Sequence, residues 1–325
     1  MAVLVKTPAR LHLGFLDLNG ELGRLYGSIG VAIERPNVVL EARLAHGLTV
    51  EGPEAERVAA FAEAFLRHFP AVPGAHLRLR SGIPAHVGLG SGTQLALAVG
   101  TALARLGGLG VTVDEIAARM GRGVHSGIGV AAFRYGGFVV DGGHPAGGGR
   151  SLPPPLLFRA RLPPEWRFVV AIPEVDRGLS GEREQAAFRG LPPSSAGLAE
   201  KLCRYLLMQM LPAVVEGDAA RFGQALTEIQ RLVGDSFAAV QGGRYANPVS
   251  GRLIDLWLEA GALGAGQSSW GPTVYALAVG EEQATALERS AREFLEHQGG
   301  GEAFTVRPAR RGATVRVLPE DTASA

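Results

Sequence analysis

The sequence predicts a two-lobed α+β protein, and three observations carry that expectation. The chain has 325 residues, about two domains' worth at roughly 150 residues each. Each half shows strands followed by segregated helices rather than a strict strand–helix alternation. Between the halves, residues 142–164 (GGHPAGGGRSLPPPLLFRARLPP) are dense in Gly and Pro and read as a linker. The lobes are therefore expected at 1–150 and 165–325.

The elements follow in order. Residues 2–5 and 10–16 are apolar runs broken by Pro8, giving two strands or one bent strand. Residues 31–45 read as strands around Pro36. In 54–69, Val58, Phe61, Phe65 and Phe69 recur at helical spacing, and Pro70 ends the run. HLRLR (76–80) alternates like a strand, and SGIPAHVGLGSGTQLALAVGTALARL reads as loop, glycine turn and apolar helix. Thr112 precedes Val113-Asp114-Glu115 as a helix cap. FRYGGFVVDGG (133–143) is strand-like, with Gly136-Gly137 as a turn or bulge. In the second half, FVVAIP (168–173) is a buried strand. Helical patterns follow near 195–215, 218–233 and 248–260. The turn GALGAGQSSWGPTVYALAV then ends in a strand, and a helix at 281–297 and a strand near 313–318 complete the pattern. No repeat of fixed period is evident.

Composition narrows the function. Hydrophobic residues make up 46% and charged residues 19%, enough for a substantial core. The 32 basic and 31 acidic side chains leave a net charge of +1, which argues against broad attraction to nucleic acid or anionic membranes. Lysine occurs only at Lys6 and Lys201, so no G-x-x-x-x-G-K-[ST] nucleotide loop exists. The single Cys203 excludes an internal disulfide framework or a multi-cysteine metal site, and its apolar helical context, KLCRYLLMQML, predicts a buried inert thiol. The apolar run from Leu95 to Ala104 is interrupted by Gly100 and is far short of a membrane span, and the N-terminal apolar stretch is too short for a secretion signal. A soluble cytoplasmic protein is expected. His12, His125 and His144 lack metal-ligand spacing, and no G-x-S-x-G elbow is present.

Three glycine turns carry the chemistry. In PAHVGLGSGTQLALA (84–98), Gly88 and Gly90 allow a close backbone turn, and Ser91, Gly92 and Thr93 open a helix. Free N–H groups and the helix dipole there form a phosphate site; an ordinary turn capped by Ser91 is the alternative. In GRGVHSGIGVAAFRYGG (121–137), Arg122, His125 and Ser126 stand around Gly127-Ile128-Gly129. In GAGQSSWGPTVYAL (264–277), Gln267, Ser268 and Ser269 form a polar loop before a strand. Together they fit one phosphorylated ligand held between lobes.

The order TPARLHLGFLDLNG, PAHVGLGSGTQ, GQSSWGPTVYAL resembles the three motifs of the GHMP small-molecule kinase superfamily. RLHLGFLDLNGELGR, RGVHSGIGVAAFRYGGFVVDGGH, VDRGLSGERE, FGQALTEIQ and GQSSWGPTVY resemble, more narrowly, its divergent β-ribofuranosylaminobenzene 5′-phosphate synthase branch, from residue 7 to about 278. The resemblance implies a two-lobed GHMP-kinase-like fold. It also implies a transfer from 5-phosphoribosyl-1-pyrophosphate (PRPP) to 4-aminobenzoate, or 4-hydroxybenzoate in some members. Pyrophosphate and carbon dioxide leave, in the first committed step of tetrahydromethanopterin synthesis. Mg²⁺ is the implied ion, with no organic cofactor, small-molecule partners only, and a homodimer.

The chain departs from the kinase pattern in two places. Many of those kinases carry an Asp as base after Ser-Gly-x, where this chain has Gly129. They favour GLGSSAA where this chain has GLGSGTQ, with Gly92 in place of a serine and the bulkier Gln94 in place of a small residue. Both departures weaken an ATP-dependent kinase reading, which stands as the alternative, alongside a metabolite-binding protein without chemistry. Attack through the ring carbon bearing the carboxylate, with loss of carbon dioxide and pyrophosphate, needs no base for a hydroxyl; it needs donors for the leaving charge and a carboxylate near an oxocarbenium centre.

On the family match, Asp17 is the candidate carboxylate for that centre or for Mg²⁺, with an Asx turn into Asn19-Gly20 as the alternative. Arg24 is the candidate anion binder of the same loop, with a salt bridge to Glu21 as the alternative. Gly88, Gly90, Ser91, Gly92 and Thr93 would hold a phosphate, and Arg122, His125 and Ser126 would reach the same pocket. Arg177 and Arg183 would bind carboxylate or pyrophosphate, unless they are solvated loop arginines. Gln267, Ser268, Ser269 and Trp270 would line the aromatic side, Trp270 equally through packing. The acidic Asp-Asp pattern of ordinary phosphoribosyltransferases is absent, so PRPP recognition falls to glycine turns and arginines.

Overall fold

The computed structural model describes residues 1–72, 74–148, 152–176, 178, 181–191 and 194–318, with Arg183 described by its backbone alone. The chain starts with β1 (Ala2–Lys6), β2 (Ala9–Asp17), β3 (Arg24–Ile33), β4 (Val39–Leu44) and β5 (Gly47–Glu51). Helix α1 (Ala55–His68) buries Val58, Ala62 and Phe65, a stripe at i, i+4 and i+7, and ends before Pro70. β6 (Gly74–Ser81) leads through the glycine turn into α2 (Ser91–Leu106), whose apolar sequence suits its nearly complete burial. Thr112 caps α3 (Val113–Arg119) in a full capping box with Glu115.

Residues 133–135 correct the strand expectation. Phe133, Arg134 and Tyr135 have strand propensity, but they finish α4 (Ile128–Tyr135), whose first six residues are all buried. Gly136, at φ 66°, ends the helix where a Cβ would lie 2.3 Å from the Arg311 carbonyl carbon, so only glycine turns the chain there. β7 (Phe138–Asp141) follows. The expected linker is itself part of a sheet: β8 (His144–Pro145) pairs with β3 and β9 (Leu156–Ala160) with β7.

β10 (Trp166–Pro173) opens the second half, then α5 (Gly181–Gly190) and α6 (Ala196–Tyr205). Where one helix was expected near 195–215, a π stretch at Leu206–Met210 separates α6 from α7 (Leu211–Glu216). Pro212 lacks an N–H and its ring conflicts with the preceding turn, and the widened turn relieves this. Cys203 is exposed on α6, against the expectation of burial, because the buried face there is carried by Leu202 and Leu206. The remaining elements are α8 (Ala219–Gln241), α9 (Pro248–Glu259), β11 (Gly264–Gln267), β12 (Val274–Val279), α10 (Gly280–Glu296), β13 (Gly301–Val306) and β14 (Thr314–Leu318).

Three sheets result, ordered β14-β1-β4-β6-β5, β2-β3-β7-β9 and β11-β12-β10-β13. β14 thus returns from the second half to pair antiparallel with β1, Ala2 opposite Leu318. One apolar core runs from Val3 and Leu40 through α2 to Phe168 and Tyr275. α8 bridges the halves: Gln230 donates to the Leu13 carbonyl at 2.7 Å and accepts from the Gln267 N–H at 2.7 Å.

Candidate functional site

The site begins at the Gly88 carbonyl. Gly88 has φ 91°, and a Cβ on it would lie 2.3 Å from the Ser268 carbonyl oxygen, so the two glycine turns can touch only because this residue has no side chain. Ser268 Oγ donates to that Gly88 carbonyl at 2.7 Å and accepts from the His12 N–H at 3.0 Å. Arg10 Nη1 donates to the same carbonyl. Thr273 N–H bonds Val87 at 3.2 Å and Gly178 N–H bonds His86 at 3.0 Å. Strand β2 and both turns are thereby joined at one node.

Gly90 is the N-cap of α2 at φ 82°. A Cβ on Gly90 would lie 3.0 Å from Arg10 Cγ, and one on Gly92 would lie 3.4 Å from both Arg122 Nη1 and Arg57 Nη2. Arg57 also donates to Ser91 Oγ at 3.1 Å and to Glu54 at 2.6 Å. Arg122 and Arg57 both stand over the Phe61 ring. Three guanidinium groups therefore surround the positive end of a helix whose first turn has no acid. Burial lowers the Arg10 guanidinium to about 10, against the pull of Glu184. Arg122 is lowered by burial and by Arg57, again against Glu184. Burial raises Glu184 above its ordinary value, opposed by the Trp270 Nε1–H bond at 3.1 Å and by Arg10 and Arg122. The cradle carries excess positive charge and offers N–H donors, the chemistry of a phosphate or pyrophosphate site.

Beside it lies an aromatic cluster. His125 stacks on Phe188 at 4.2 Å and 18°, and Tyr26 meets His125 edge-on at 5.2 Å. Trp270 packs edge-on against Phe237 at 4.9 Å and Phe188 at 5.5 Å, and Phe15 joins Phe188 and Phe237. Glu184 and Phe188, four residues apart on α5, face the cradle and the cluster respectively.

The other sequence candidates have defined places. Asp17 Oδ1 accepts from Asn19 N–H at 2.7 Å and Gly20 N–H at 2.9 Å, an Asx turn that closes the β2–β3 hairpin. Arg24 donates to the carbonyls of Gly142 and Gly143, both at 2.7 Å. Ser126 Oγ accepts from Ile128 N–H at 3.3 Å. Asp141, raised to about 6 by burial despite hydrogen bonds, accepts from Gly127 and Gly143 N–H, each at 2.9 Å. Gln267 spends its amide on Ala246 N–H and the Ser269 carbonyl. Arg177 and the side chain of Arg183 lie outside the described residues.

Gly129, Thr93 and Gln94 meet. A Cβ at Gly129 would lie 3.0 Å from Thr93 Cγ2, and Gln94 Nε2 donates to the Gly129 carbonyl at 2.8 Å. Two of the departures from the kinase pattern, Gly129 and Gln94, are thus in direct contact, and Thr93 occupies the space a side chain at 129 would need.

Sequence reasoning missed Arg10, Arg57, Glu184 and Phe188. Arg10 and His12 sit at alternate positions of a strand, a signal that they share a face. Glu184 and Phe188 belong to a helix the periodicity did not reveal. Nothing in the sequence separates Arg57 from the other arginines. For a divalent ion, Asp17 offers one carboxylate, one oxygen of which already holds two N–H groups. Among the described residues no three His, Cys, Asp or Glu form a metal cluster. Among the described residues no helix is long and apolar enough to cross a membrane.

Comparison with known proteins agrees with this architecture. The family of GHMP kinases N terminal domains matches residues 56–137, and that of GHMP kinases C terminal domains matches residues 210–297. A β-ribofuranosylphenol 5′-phosphate synthase of Methanothermobacter thermautotrophicus is 38% identical over 96% of this chain and 98% of its own. One from Archaeoglobus fulgidus is 39% identical over 96% and 99%. Among solved structures, a homoserine kinase from Cytophaga hutchinsonii superposes with a TM-score of 0.71 at 18% identity, covering 97% of each chain.

Proposed function

We propose that this chain, which belongs to the GHMP kinase family and within it to the β-ribofuranosylphenol 5′-phosphate synthases, is a decarboxylating phosphoribosyltransferase using PRPP and an aryl carboxylic acid. A ribofuranosylphenol product, for which the relatives are named, requires 4-hydroxybenzoate as acceptor; 4-aminobenzoate is the comparison substrate. The observation that carries the reading is the cradle of Arg10, Arg57 and Arg122 at the N-terminus of α2, set against an aromatic cluster.

In the reaction the bond between ribose C1 and the pyrophosphate oxygen breaks, and pyrophosphate leaves with the electron pair. The cradle arginines and the first N–H groups of α2 hold the growing negative charge. The ring carbon bearing the carboxylate attacks C1. The ring–carboxylate bond then breaks, its electron pair restores the aromatic ring, and carbon dioxide departs. No net proton is transferred, so Gly129 in place of a base costs the reaction nothing. Asp17 supplies a carboxylate toward the oxocarbenium character at C1, besides its hairpin bonds, and Arg24 an anion contact, besides its bonds to the Gly142 and Gly143 carbonyls. Ser91, Gly92 and Thr93 form the phosphate end, with His125 and Ser126 reaching the same pocket, and the family resemblance alone assigns Arg177 and Arg183 to the carboxylate or pyrophosphate. Mg²⁺ arrives as part of the PRPP complex, and a cytosolic homodimer is part of the same reading. The reaction would open tetrahydromethanopterin synthesis.

The test is release of labelled carbon dioxide from carboxyl-labelled 4-hydroxybenzoate with PRPP and Mg²⁺. Release that depends on PRPP supports the reading. No release from either benzoate, together with substrate-dependent ADP formation from ATP, would replace it with the kinase alternative.

A further inference from the structure

Away from the cradle, positive charge collects on the seam between the two halves. A groove of ≈ 900 Å³ there is walled by seven basic and three acidic side chains, in a chain whose net charge is +1. It shares no wall residue with the Gly88 node or the arginine cradle. One wall is the sheet of β1 and β14. Val3 and Val5 face the core, so Lys6 projects from the opposite face, and the register of Lys6 with Thr314 sets Thr314 and Arg316 on that same face. Another wall is α10, where Glu281, Thr285 and Glu288 recur at i, i+4 and i+7.

The acids are largely spent on a few of the cations. Arg167 donates to Glu281 at 2.9 and 2.7 Å, and Arg307 reaches the same carboxylate at 3.3 Å. Glu288 accepts from Arg292 at 2.6 Å and from the Thr305 N–H at 2.7 Å. Arg35 donates to the Thr305 carbonyl at 2.6 Å and lies over the Phe304 ring. The side chains of Lys6, Arg310, Arg311 and Arg316 have no hydrogen-bond or ion-pair partner among the described residues. Nor is the loop bearing Arg307, Arg310 and Arg311 free to spread them apart. The Arg307 carbonyl accepts from Glu34 N–H at 3.1 Å, Ala309 N–H donates to Ala32 at 2.7 Å, the Ala309 carbonyl accepts from Gly137 N–H at 2.7 Å, and Ala313 N–H donates to Phe133 at 2.6 Å. A Cβ on Gly312 would lie 2.3 Å from that Phe133 carbonyl oxygen, so the loop seats only with glycine there. Backbone bonds thus hold three like charges together against their repulsion, which is how a preorganised anion site is built.

We propose that this groove is a second anion site, which takes a small metabolite bearing a linear di- or triphosphate group. Guanidinium forks suit the repeated oxygens of linked phosphates, and Lys6 adds a point charge from the sheet side. The volume falls within the roughly 300–1,000 Å³ of small-molecule sites. A long nucleic acid would instead run its phosphates past Glu34, Glu281 and Glu288 and gain no steering from a net charge of +1. The walls come from β1 and the end of β3 in the first half and from β10, β13 and α10 in the second, so the bound phosphates tie the halves together. The site goes beyond the phosphoribosyl-transfer reading and does not depend on it.

Calorimetric titration with inorganic tripolyphosphate tests this, with each variant's fold checked by circular dichroism. The parent is expected to bind two, one in the cradle and one in the groove. Arg310→Gln combined with Arg311→Gln should keep the cradle site and weaken the groove site at least about tenfold. Lys6→Gln combined with Arg316→Gln should do the same from the sheet side. Arg10→Met should weaken the cradle site and keep the groove site. Carbon dioxide release by both groove variants should stay within about twofold of the parent. Tripolyphosphate binding that neither groove variant changes, or no binding by the parent, would overturn the proposal. So would a single-stranded RNA oligonucleotide that binds the parent more tightly than tripolyphosphate and is lost in the groove variants, which would make the groove a nucleic-acid surface. If no protein releases carbon dioxide, the transfer reading fails while two-site binding still supports the groove.

Discussion

Restoring an aspartate at position 129 should damage this protein rather than make it a kinase. Gly129 is the second residue of α4 and is buried. Replacing a helical glycine and placing a negative charge in a first turn would together gain about 1 kcal/mol. Against that, the new Cβ would meet Thr93 Cγ2 at 3.0 Å, Cβ at 3.1 Å and Oγ1 at 3.3 Å, an overpacking cost of about 1–3 kcal/mol. The carboxylate beyond it adds about 1–3 kcal/mol if buried without a partner. The net expectation for Gly129→Asp is a loss of about 1–5 kcal/mol. Gly129→Ala, which brings only the Cβ, should lose no more than about 2 kcal/mol. Urea unfolding of both, of Thr93→Ala, and of Gly129→Asp combined with Thr93→Ala gives a double-mutant cycle. A favourable coupling of at least about 1 kcal/mol is expected, because truncating Thr93 opens the space. If Gly129→Asp is as stable as the parent, or if Thr93→Ala gives no relief, the steric account of this position is wrong.

Three further outcomes can be checked. Arg10→Met and Arg122→Gln each remove a charged donor from the cradle, and each should raise the PRPP KM by roughly tenfold or more, measured by carbon dioxide release. Asp141 is raised in the folded state to about 6 from an ordinary 3.8, so its contribution is present below pH 4 and lost as pH rises to 6. His12, lowered to about 3, does the opposite: its contribution is present above 6.5 and lost as pH falls. The two partly cancel between pH 4 and 6, so Asp141→Asn should steepen the fall of unfolding free energy with acidification, by up to about 3 kcal/mol across the window, read by urea unfolding at each pH. Thr112→Ala breaks the capping box of α3 and should cost about 1 kcal/mol in urea unfolding.

How much was legible depended on where the information lies. Helices α1, α2 and α3 were readable because stripe, stop and cap are local: Val58 to Phe65, Pro70 and Thr112 state their own positions. Phe133 to Tyr135 were misread because strand propensity is weak against burial of a continuing helix. The pairing of β14 with β1 has no local sign, since register across 300 residues is set by the completed core. The glycine turns marked the N-terminus of α2 as a candidate phosphate site, but the arginines beside it carried no such mark. With thirty arginines in the chain, only the approach of Arg10, Arg57 and Arg122 to Gly90 and Gly92 distinguishes these three. The aromatic half was visible at Trp270 alone, because Phe15, Phe188 and Phe237 come from separate elements.

The node at Gly88 also bears on synthesis at the ribosome. Its bonds span 78 residues to Arg10 and 180 to Ser268, and the link from His12 to Ser268 spans 256. Loops of that length close late, after local helices and hairpins are made. A nascent chain that has exposed only the first glycine turn therefore has the phosphate motif without its shape. The node itself is completed abruptly, once the stretch through Thr273 has emerged and docked.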